Sequence, residues 1–159
     1  MALELKSVVV KAGGEFPADY TCNGRNISPP LNISGIPATA KSLVLIFDDP
    51  DAAKEPAGRG KTFDHWVVYN ILATDQTIAE DSVPAGARLG QNGAGSDKYI
   101  GPCPPTFRHT YYFRLLALDN TLDLVDRPTK DQVLEASTSH VIEETQLVAY
   151  YEQPASTSG

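Results

Sequence analysis

Apolar residues in this chain occur in short runs that end at turn-forming residues. The longest uninterrupted run of aliphatic and aromatic residues, 43–47, is stopped by the sequence Asp48-Asp49-Pro50-Asp51. Five such residues bounded by turn signals are typical of a strand that is buried on both faces. We therefore predict a strand over residues 42–48 in the middle of a two-layer arrangement.

A second stretch, residues 109–118, alternates with a period of two. Successive side chains of a strand point to opposite faces, so His109, Tyr111 and Phe113 share one face of this predicted strand. Shorter apolar stretches predict further strands over residues 7–10, 65–72, 77–80 and 146–151.

One helix is predicted near the end of the chain. Thr129 and Gln132 have the spacing of a capping box, and apolar residues from Val133 to Ile142 then recur at helical spacing. His140 would lie within this helix as a surface residue. Because strands dominate, the pattern predicts a mostly β fold, an antiparallel β-sandwich with a C-terminal helix.

Length and composition fit this class. The chain has 159 residues, which is the size of one domain. Glycine and proline together number 24, which agrees with many turns between short strands. We expect a single domain over residues 1–152 and a flexible polar tail over residues 153–159.

Charge narrows the classes of partner. A formal net charge of −7 argues against nucleic acid and anionic membrane surfaces as bulk partners. A single phosphate group can still bind in a local pocket of hydrogen-bond donors. No apolar run is long enough to cross a membrane, and the N-terminal residues lack the apolar core of a signal peptide. We therefore predict a cytoplasmic protein in which Cys22 and Cys103 are thiols, with a disulfide between them as the less favoured alternative.

Polar groups that could carry chemistry lie at the ends of the predicted strands, where binding groups often sit. They are Asp49, His65, and the pair His109 and Tyr111. Each also has an ordinary structural interpretation, as a solvated turn, a structural histidine or a core tyrosine. Together they fit either of two chemistries. Two histidines and a carboxylate can form a facial metal triad, whereas two imidazoles and a phenol can donate hydrogen bonds to an anion while the carboxylate charges a histidine. Spacing along the chain does not choose between these chemistries.

Four strings of residues, taken in order, resemble the phosphatidylethanolamine-binding protein family, which includes Raf kinase inhibitor protein. They cover most of the chain, from about residue 5 to residue 151. The first, found in the prokaryotic branch, is CNGRNISPPL from Cys22. The others are Asp49-Pro50-Asp51-Ala52, the string HWVVYN from His65, and GPCPP from Gly101 followed by His109-x-Tyr111-x-Phe113.

The resemblance implies a fold with a large and a small antiparallel sheet joined by Greek-key connections. It also implies a pocket for anions such as phosphate, acetate or the phosphoethanolamine head group of a phospholipid. On matching positions, the ligand-binding residues would be Asp49, Pro50, His65, Gly101, Pro102, Cys103, His109 and Tyr111. In this interpretation both histidines and Tyr111 donate to the anion, Asp49 orients or charges a histidine, and the proline loop directs backbone N–H groups toward the ligand.

We therefore expect a regulatory binding protein with no catalytic activity, cofactor or metal, whose partner is a small anionic ligand, a phospholipid head group, or a kinase or protease. The alternatives are a metal-dependent or His/Asp-based enzyme, and a protein-interaction module acting through the loop at residues 53–63. Two departures from the family pattern, Ala53 with its long loop and Thr106-Phe107-Arg108, would lie at the rim of the pocket. They bear on ligand selectivity more than on the fold.

Overall fold

The computed structural model describes residues 2–154 and is mostly β. Its strands are β1 (Glu4–Lys6), β2 (Leu31–Ser34), β3 (Ser42–Asp49), β4 (Phe63–Ile71), β5 (Gln76–Ile78), β6 (Arg88–Leu89), β7 (His109–Leu118) and β8 (Val141–Tyr151). The α-helix α1 spans Lys130–Ser137, and short 3₁₀ helices span Ala18–Tyr20, Pro50–Lys54 and Pro56–Gly58. Of the predicted flexible tail, residues 155–159 lie outside the described part of the chain.

The strands form two antiparallel sheets. The small sheet has the order β1-β2-β5, and the large sheet has the order β6-β4-β3-β7-β8. In the large sheet, β3, β4 and β6 lie side by side, and the next strand along the chain, β7, lies beside β3. This is a Greek-key arrangement. The predicted fold class, two antiparallel sheets with a C-terminal helix, is therefore confirmed.

The large sheet is covered on both faces. All eight residues of β3 are buried, as the uninterrupted apolar run predicts. One face packs against the small sheet, in an apolar layer that includes Leu5, Ile33 and Phe47. The other face packs against α1, in a layer that includes Val44 and Val133. The sheet is thus a rigid central layer that holds the loops at its edges.

The helix begins where the sequence predicts and ends earlier. Thr129 caps it, and Gln132 completes the capping box. The predicted helical stripe continued through Val141 and Ile142, which was wrong, because these two residues begin β8. The backbone there pairs with β7, with Val141 opposite Leu118, and this pairing overrides the helical periodicity. His140 accordingly lies in the turn before β8, where its Nδ1 is 2.8 Å from an Asp119 oxygen.

The first strand is also displaced from its predicted position. Residues 7–10 were predicted as a strand, whereas β1 ends at Lys6. The Ser7 hydroxyl accepts hydrogen bonds from the Val9 and Val10 backbone N–H groups at 3.2 Å each and donates to the Pro30 carbonyl at 2.6 Å. A serine side chain that binds nearby backbone N–H groups favours a turn over a strand.

The two cysteines form a disulfide, so the prediction of thiols was wrong. Cys22 and Cys103 have a Cα–Cα distance of 5.5 Å and are 81 residues apart in sequence. The bond joins the segment after the first 3₁₀ helix to the loop before β7. The thiols were inferred from the predicted cytoplasmic location, and that location stays a prediction. No helix within residues 2–154 is both long enough and apolar enough to span a bilayer.

Candidate functional site

A cavity of about 320 Å³ lies at one end of the strands of the large sheet. The end of β3 and the beginnings of β4 and β7 meet there, because β3 is antiparallel to both neighbours. Most of the predicted ligand-binding residues line this cavity: Asp49, His65, Gly101, Cys103, His109 and Tyr111. The remaining lining residues are Ala52, Glu55, Ala57, Gly58, Phe63, Ile100, Pro104 and Pro105.

Two predicted residues are not among those that line the cavity. Pro50 is the first residue of the 3₁₀ helix Pro50–Lys54, where its fixed φ angle suits the start of a helical turn. The Pro102 carbonyl accepts a hydrogen bond from the Cys22 N–H at 3.1 Å, on the side of the N-terminal segment. The structure therefore gives both prolines a role in shaping the loops around the cavity.

His109 is buried between two carboxylates. Its Nδ1 lies 2.6 Å from Asp49 Oδ2, and its Nε2 lies 2.9 Å from Glu55 Oε1. A neutral imidazole donates from only one nitrogen, so two ionised carboxylates are both satisfied only when both ring nitrogens carry a hydrogen. In this structure neither nitrogen of His109 is available to a ligand.

Asp49 occupies the end of β3 and holds His109 in place. One of its oxygens accepts from His109, and the other accepts from the Ala52 N–H at 3.2 Å. Burial raises the pKa of the Asp49 carboxyl above its usual value, and the contact with His109 opposes this rise. Asp49 thus orients His109 through this contact, and its role at a ligand stays a prediction.

Glu55 is a site residue that the sequence analysis missed. Only 5% of its surface is exposed. Its carboxylate accepts from the Thr106 hydroxyl at 2.7 and 2.9 Å and from the Thr106 N–H at 3.3 Å, in addition to His109. Burial raises the pKa of Glu55, but the hydrogen bonds from Thr106 and His109 outweigh burial, and the net effect lowers it. Glu55 and Thr106 lie in the two stretches that depart from the family pattern, and this is the only sequence signal that pointed to them.

His65 differs from His109 in its hydrogen-bond partners. Its Nδ1 lies 2.6 Å from the Ile100 carbonyl, to which it donates. Burial lowers the pKa of His65 to about 4, so the ring is neutral at pH 7. With the hydrogen on Nδ1, Nε2 is a hydrogen-bond acceptor. The predicted role of His65 as a donor to an anion therefore does not hold for the neutral ring.

The Tyr111 hydroxyl is buried without a partner. Only 1% of the residue is exposed, and within residues 2–154 no group meets ordinary hydrogen-bond geometry at its oxygen, although the Asp49 carboxylate lies near it. Burial raises the pKa of the hydroxyl and the Asp49 carboxylate raises it further, so the hydroxyl keeps its hydrogen at neutral pH. The ring packs edge-on against His65, with the two centroids 5.4 Å apart. A buried hydroxyl is usually paired, whereas this one has no acceptor in hydrogen-bond geometry within residues 2–154.

The proline loop forms a wall that is anchored to the N-terminal segment. The Gly101 N–H donates to Asn26 Oδ1 at 2.7 Å. It is therefore not directed at a ligand, contrary to the prediction. A Cβ at Gly101 would lie 2.3 Å from the Tyr20 carbonyl oxygen, and only glycine allows this approach. Pro104 and Pro105 present apolar surface to the cavity.

No lysine or arginine is among the described residues that line the cavity. Lys54 pairs with Asp51 at 3.1 Å on the surface, and the Arg108 guanidinium stacks on the Tyr150 ring at 4.6 Å. Within residues 2–154, no group of three or more His, Cys, Asp or Glu side chains is placed to hold a metal ion. The acidic groups among these lining residues are therefore the carboxylates of Asp49 and Glu55, with His109 between them.

Comparison with known proteins gives the family. The family model described as phosphatidylethanolamine-binding protein matches residues 6–152. A UPF0098 protein of Methanothermobacter thermautotrophicus is 45% identical over 155 residues, which cover 94% of this chain and 98% of that protein.

Two solved structures have the same fold. The phosphatidylethanolamine-binding protein homologue CT736 of Chlamydia trachomatis is 41% identical, with a TM-score of 0.90, covering 96% of this chain and 99% of that one. Escherichia coli YbcL, described as a member of the mammalian PEBP family, is 28% identical with a TM-score of 0.85, covering 97% and 100% of the two chains. This chain belongs to the phosphatidylethanolamine-binding protein family.

Proposed function

We propose that the cavity binds a small ligand through an acidic head group of the phosphate type. The observation that carries the proposal is the Tyr111 hydroxyl, which is buried at the cavity without an acceptor. An unpaired buried donor costs roughly 1–3 kcal/mol, and a ligand oxygen at this position would remove that cost. Membership of the family supports a ligand-binding role.

The neutral His65 ring selects the protonation state of the ligand. Its Nε2 accepts a hydrogen bond, whereas Tyr111 donates one. Hydrogen phosphate and the monoanion of a phosphate monoester offer both complementary groups, since each carries a P–O–H donor beside P–O⁻ acceptors. The phosphodiester of phosphatidylethanolamine has no P–O–H, so its ammonium N–H would be the donor to His65. Phe63, Pro104 and Pro105 add apolar surface to the walls, which suits the carbon part of such a ligand.

The output of binding, in this proposal, is regulatory. The family resemblance supports a partner such as a kinase or protease, or a phospholipid whose head group enters the cavity. The head group itself, free or attached, is the shared chemistry, and it can be tested without knowing the partner.

The experiment compares phosphate, phosphoethanolamine and vesicles containing phosphatidylethanolamine as ligands for the wild type and for Tyr111→Phe. The substitution removes only the hydroxyl, and we expect it to weaken binding of phosphate by about tenfold or more, the value of a hydrogen bond to a charged group. Tyr112→Phe is the matched control, because Tyr112 lies on the opposite face of β7, under Arg114. Calorimetric titration gives the dissociation constants. Equal affinity of wild type and Tyr111→Phe would contradict the proposal.

The three ligands separate the sources of the head group. Binding of phosphate and phosphoethanolamine in solution, without capture by vesicles, supports a free ligand. Capture by vesicles that is lost in Tyr111→Phe supports a lipid source.

A further inference from the structure

Residues 53–62, called here the gate segment, are an exposed loop with one buried charged residue. Lys54, Pro56, Arg59 and Lys61 are all exposed, whereas Glu55 is buried. Glutamate is rarely buried unless it is paired, and no apolar core surrounds this loop to force it inward. The burial of Glu55 therefore depends on the groups that bind its carboxylate.

Those groups form a donor set suited to an anion. The Glu55 carboxylate receives hydrogen bonds from an imidazole N–H, a hydroxyl and a backbone N–H, which belong to His109 and Thr106. A phosphate or carboxylate ligand is recognised by such groups. The protein's own carboxylate occupies them in this structure.

The carboxylate is also the main polar attachment of the gate segment. Within the described part of the chain, Glu55 makes all the hydrogen bonds that join residues 53–62 to residues beyond the loop and its immediate neighbours. The other bonds are local, such as Glu55 N–H to Ala52 and Lys61 N–H to Gly58. Consecutive left-handed residues, Arg59 with a φ of 51° and Gly60 with a φ of 75°, lie where the segment returns toward β4. A loop held in this way can release if the Glu55 contacts are exchanged for others.

We propose that Glu55 is an intramolecular competitor at the anion subsite formed by His109 and Thr106, and that the gate segment opens when an external anion takes its place. This inference rests on the proposed function and adds its regulation. The exchange replaces one anion with another beside His109, so the ring keeps an acceptor at Nε2. Asp49 continues to hold Nδ1, and Nε2 is freed to donate to the ligand.

Competition lowers the apparent affinity by the fraction of molecules in which the subsite is free. Removing the competitor should therefore tighten binding. The test is calorimetric titration of inorganic phosphate into the wild type, Glu55→Gln and Glu55→Asp at pH 7. We expect Glu55→Gln to bind phosphate about tenfold more tightly than the wild type, or better.

Glu55→Asp separates competition from simple charge repulsion, because it keeps the negative charge on a side chain one methylene shorter. We expect this variant also to bind more tightly than the wild type, since the shorter carboxylate does not reach both Thr106 and His109. Glu135→Gln is the charge-matched control, since Glu135 is exposed on α1 and its side chain makes no hydrogen bond in the structure. Tighter binding by Glu55→Gln with wild-type affinity in Glu55→Asp would overturn the proposal in favour of repulsion.

A readout without ligand tests the attachment itself. Amide hydrogen exchange at Thr106, Gly58 and Lys61 should be faster in Glu55→Gln than in the wild type, with Glu135→Gln unchanged. If phosphate binds the wild type and Glu55→Gln equally well, the competitor is disproved while the proposed function stands. If phosphate binds neither protein, the proposed function fails and the competitor fails with it, even where exchange at Thr106 is faster.

Discussion

His109 and His65 are two buried histidines on the same cavity with opposite surroundings. His109 lies between the carboxylates of Asp49 and Glu55, whereas His65 faces a backbone carbonyl and aromatic rings. The second environment, through burial, opposes positive charge on the His65 ring. At the residue scale, the site therefore combines a ring whose two nitrogens contact carboxylates with a neutral ring whose Nε2 is a hydrogen-bond acceptor.

The neutrality of His65 makes stability depend on pH. Its pKa is about 4 in the folded protein against an ordinary 6.5, so the unfolded chain binds a proton more tightly. The contribution of the neutral His65 ring to the free energy of unfolding is fully present above about pH 6.5 and is lost as pH falls toward 4. Its maximum is about 3 kcal/mol. We expect urea unfolding to show a loss of about 2 kcal/mol between pH 7 and pH 5 from this residue.

His65→Asn is the comparison for this prediction, because its amide N–H₂ can replace Nδ1–H as donor to Ile100 and does not titrate. The free energy of unfolding of the variant should fall less than that of the wild type over the same pH range. Parallel curves for the two proteins would show that His65 is not held neutral by burial.

Substitutions in the core usually lower the free energy of unfolding, but we expect removal of the unpaired Tyr111 hydroxyl to raise it. Tyr111→Phe removes a buried group that has no partner, so we expect the protein without ligand to gain up to about 1 kcal/mol of stability. Tyr151→Phe is the control, because the Tyr151 hydroxyl accepts from Asn23 at 2.7 Å. We expect that substitution to destabilise by about 1 kcal/mol in urea unfolding. A similar loss in both variants would mean that Tyr111 has a partner in solution.

Most of the residues that line the cavity were predictable from sequence, but the roles of several were not. Asp49, His65, His109 and Tyr111 stand at strand ends beside proline and glycine, and the resemblance groups them. Glu55 has no such signal, since a single acidic residue in a polar loop usually faces solvent. Its burial follows from a contact with Thr106 that spans 51 positions in sequence, and spacing carries no information about such contacts.

At the scale of elements, the large sheet positions the polar side chains of the cavity, and the loops complete its walls. Asp49 ends β3 and His109 begins β7, and the antiparallel pairing of these strands brings the two residues together. The wall opposite comes from the loop before β7, which the disulfide joins to the N-terminal segment. A rigid sheet with anchored loops gives a preformed site.

The disulfide should contribute to stability through the unfolded chain. It links residues 81 positions apart, and chain entropy for a loop of this size corresponds to about 4 kcal/mol. We expect the double variant Cys22→Ser, Cys103→Ser to lose stability of this order in urea unfolding, and to bind phosphate more weakly because the proline loop is less restrained. Treatment of the wild type with a reductant should reproduce both effects. Unchanged stability after complete reduction would contradict this account.

The strands that the sequence predicts well are those whose pattern is set by burial in the large sheet. Residues 42–48 and 109–118 match β3 and β7 closely because both faces of the sheet are covered. The N-terminal part of β8 was missed because Val141 and Ile142 continue the spacing of α1. The misplaced first strand has a similar cause, since a local Ser7 hydrogen bond decided the turn. In these cases a tertiary or side-chain interaction outweighs the local pattern.

At the scale of the whole molecule, the two faces of the large sheet pack against different elements. One packs on the small sheet and the other on α1, and the cavity lies at one end of the strands, between loops. The formal net charge of −7 opposes the approach of any anion. The proposed anion binding would therefore depend on the local donors of the cavity, which in this structure are partly occupied by Glu55.

The most direct test of the central claim is an NMR titration of inorganic phosphate into the labelled protein, followed at the His65 and His109 ring nitrogens and the Thr106 amide. We predict saturable shifts at all three positions at millimolar phosphate, reached at lower concentration in Glu55→Gln. Shifts that do not saturate, or that are confined to exposed residues such as Arg59 and Lys61, would contradict the claim that this cavity binds a phosphate-type head group.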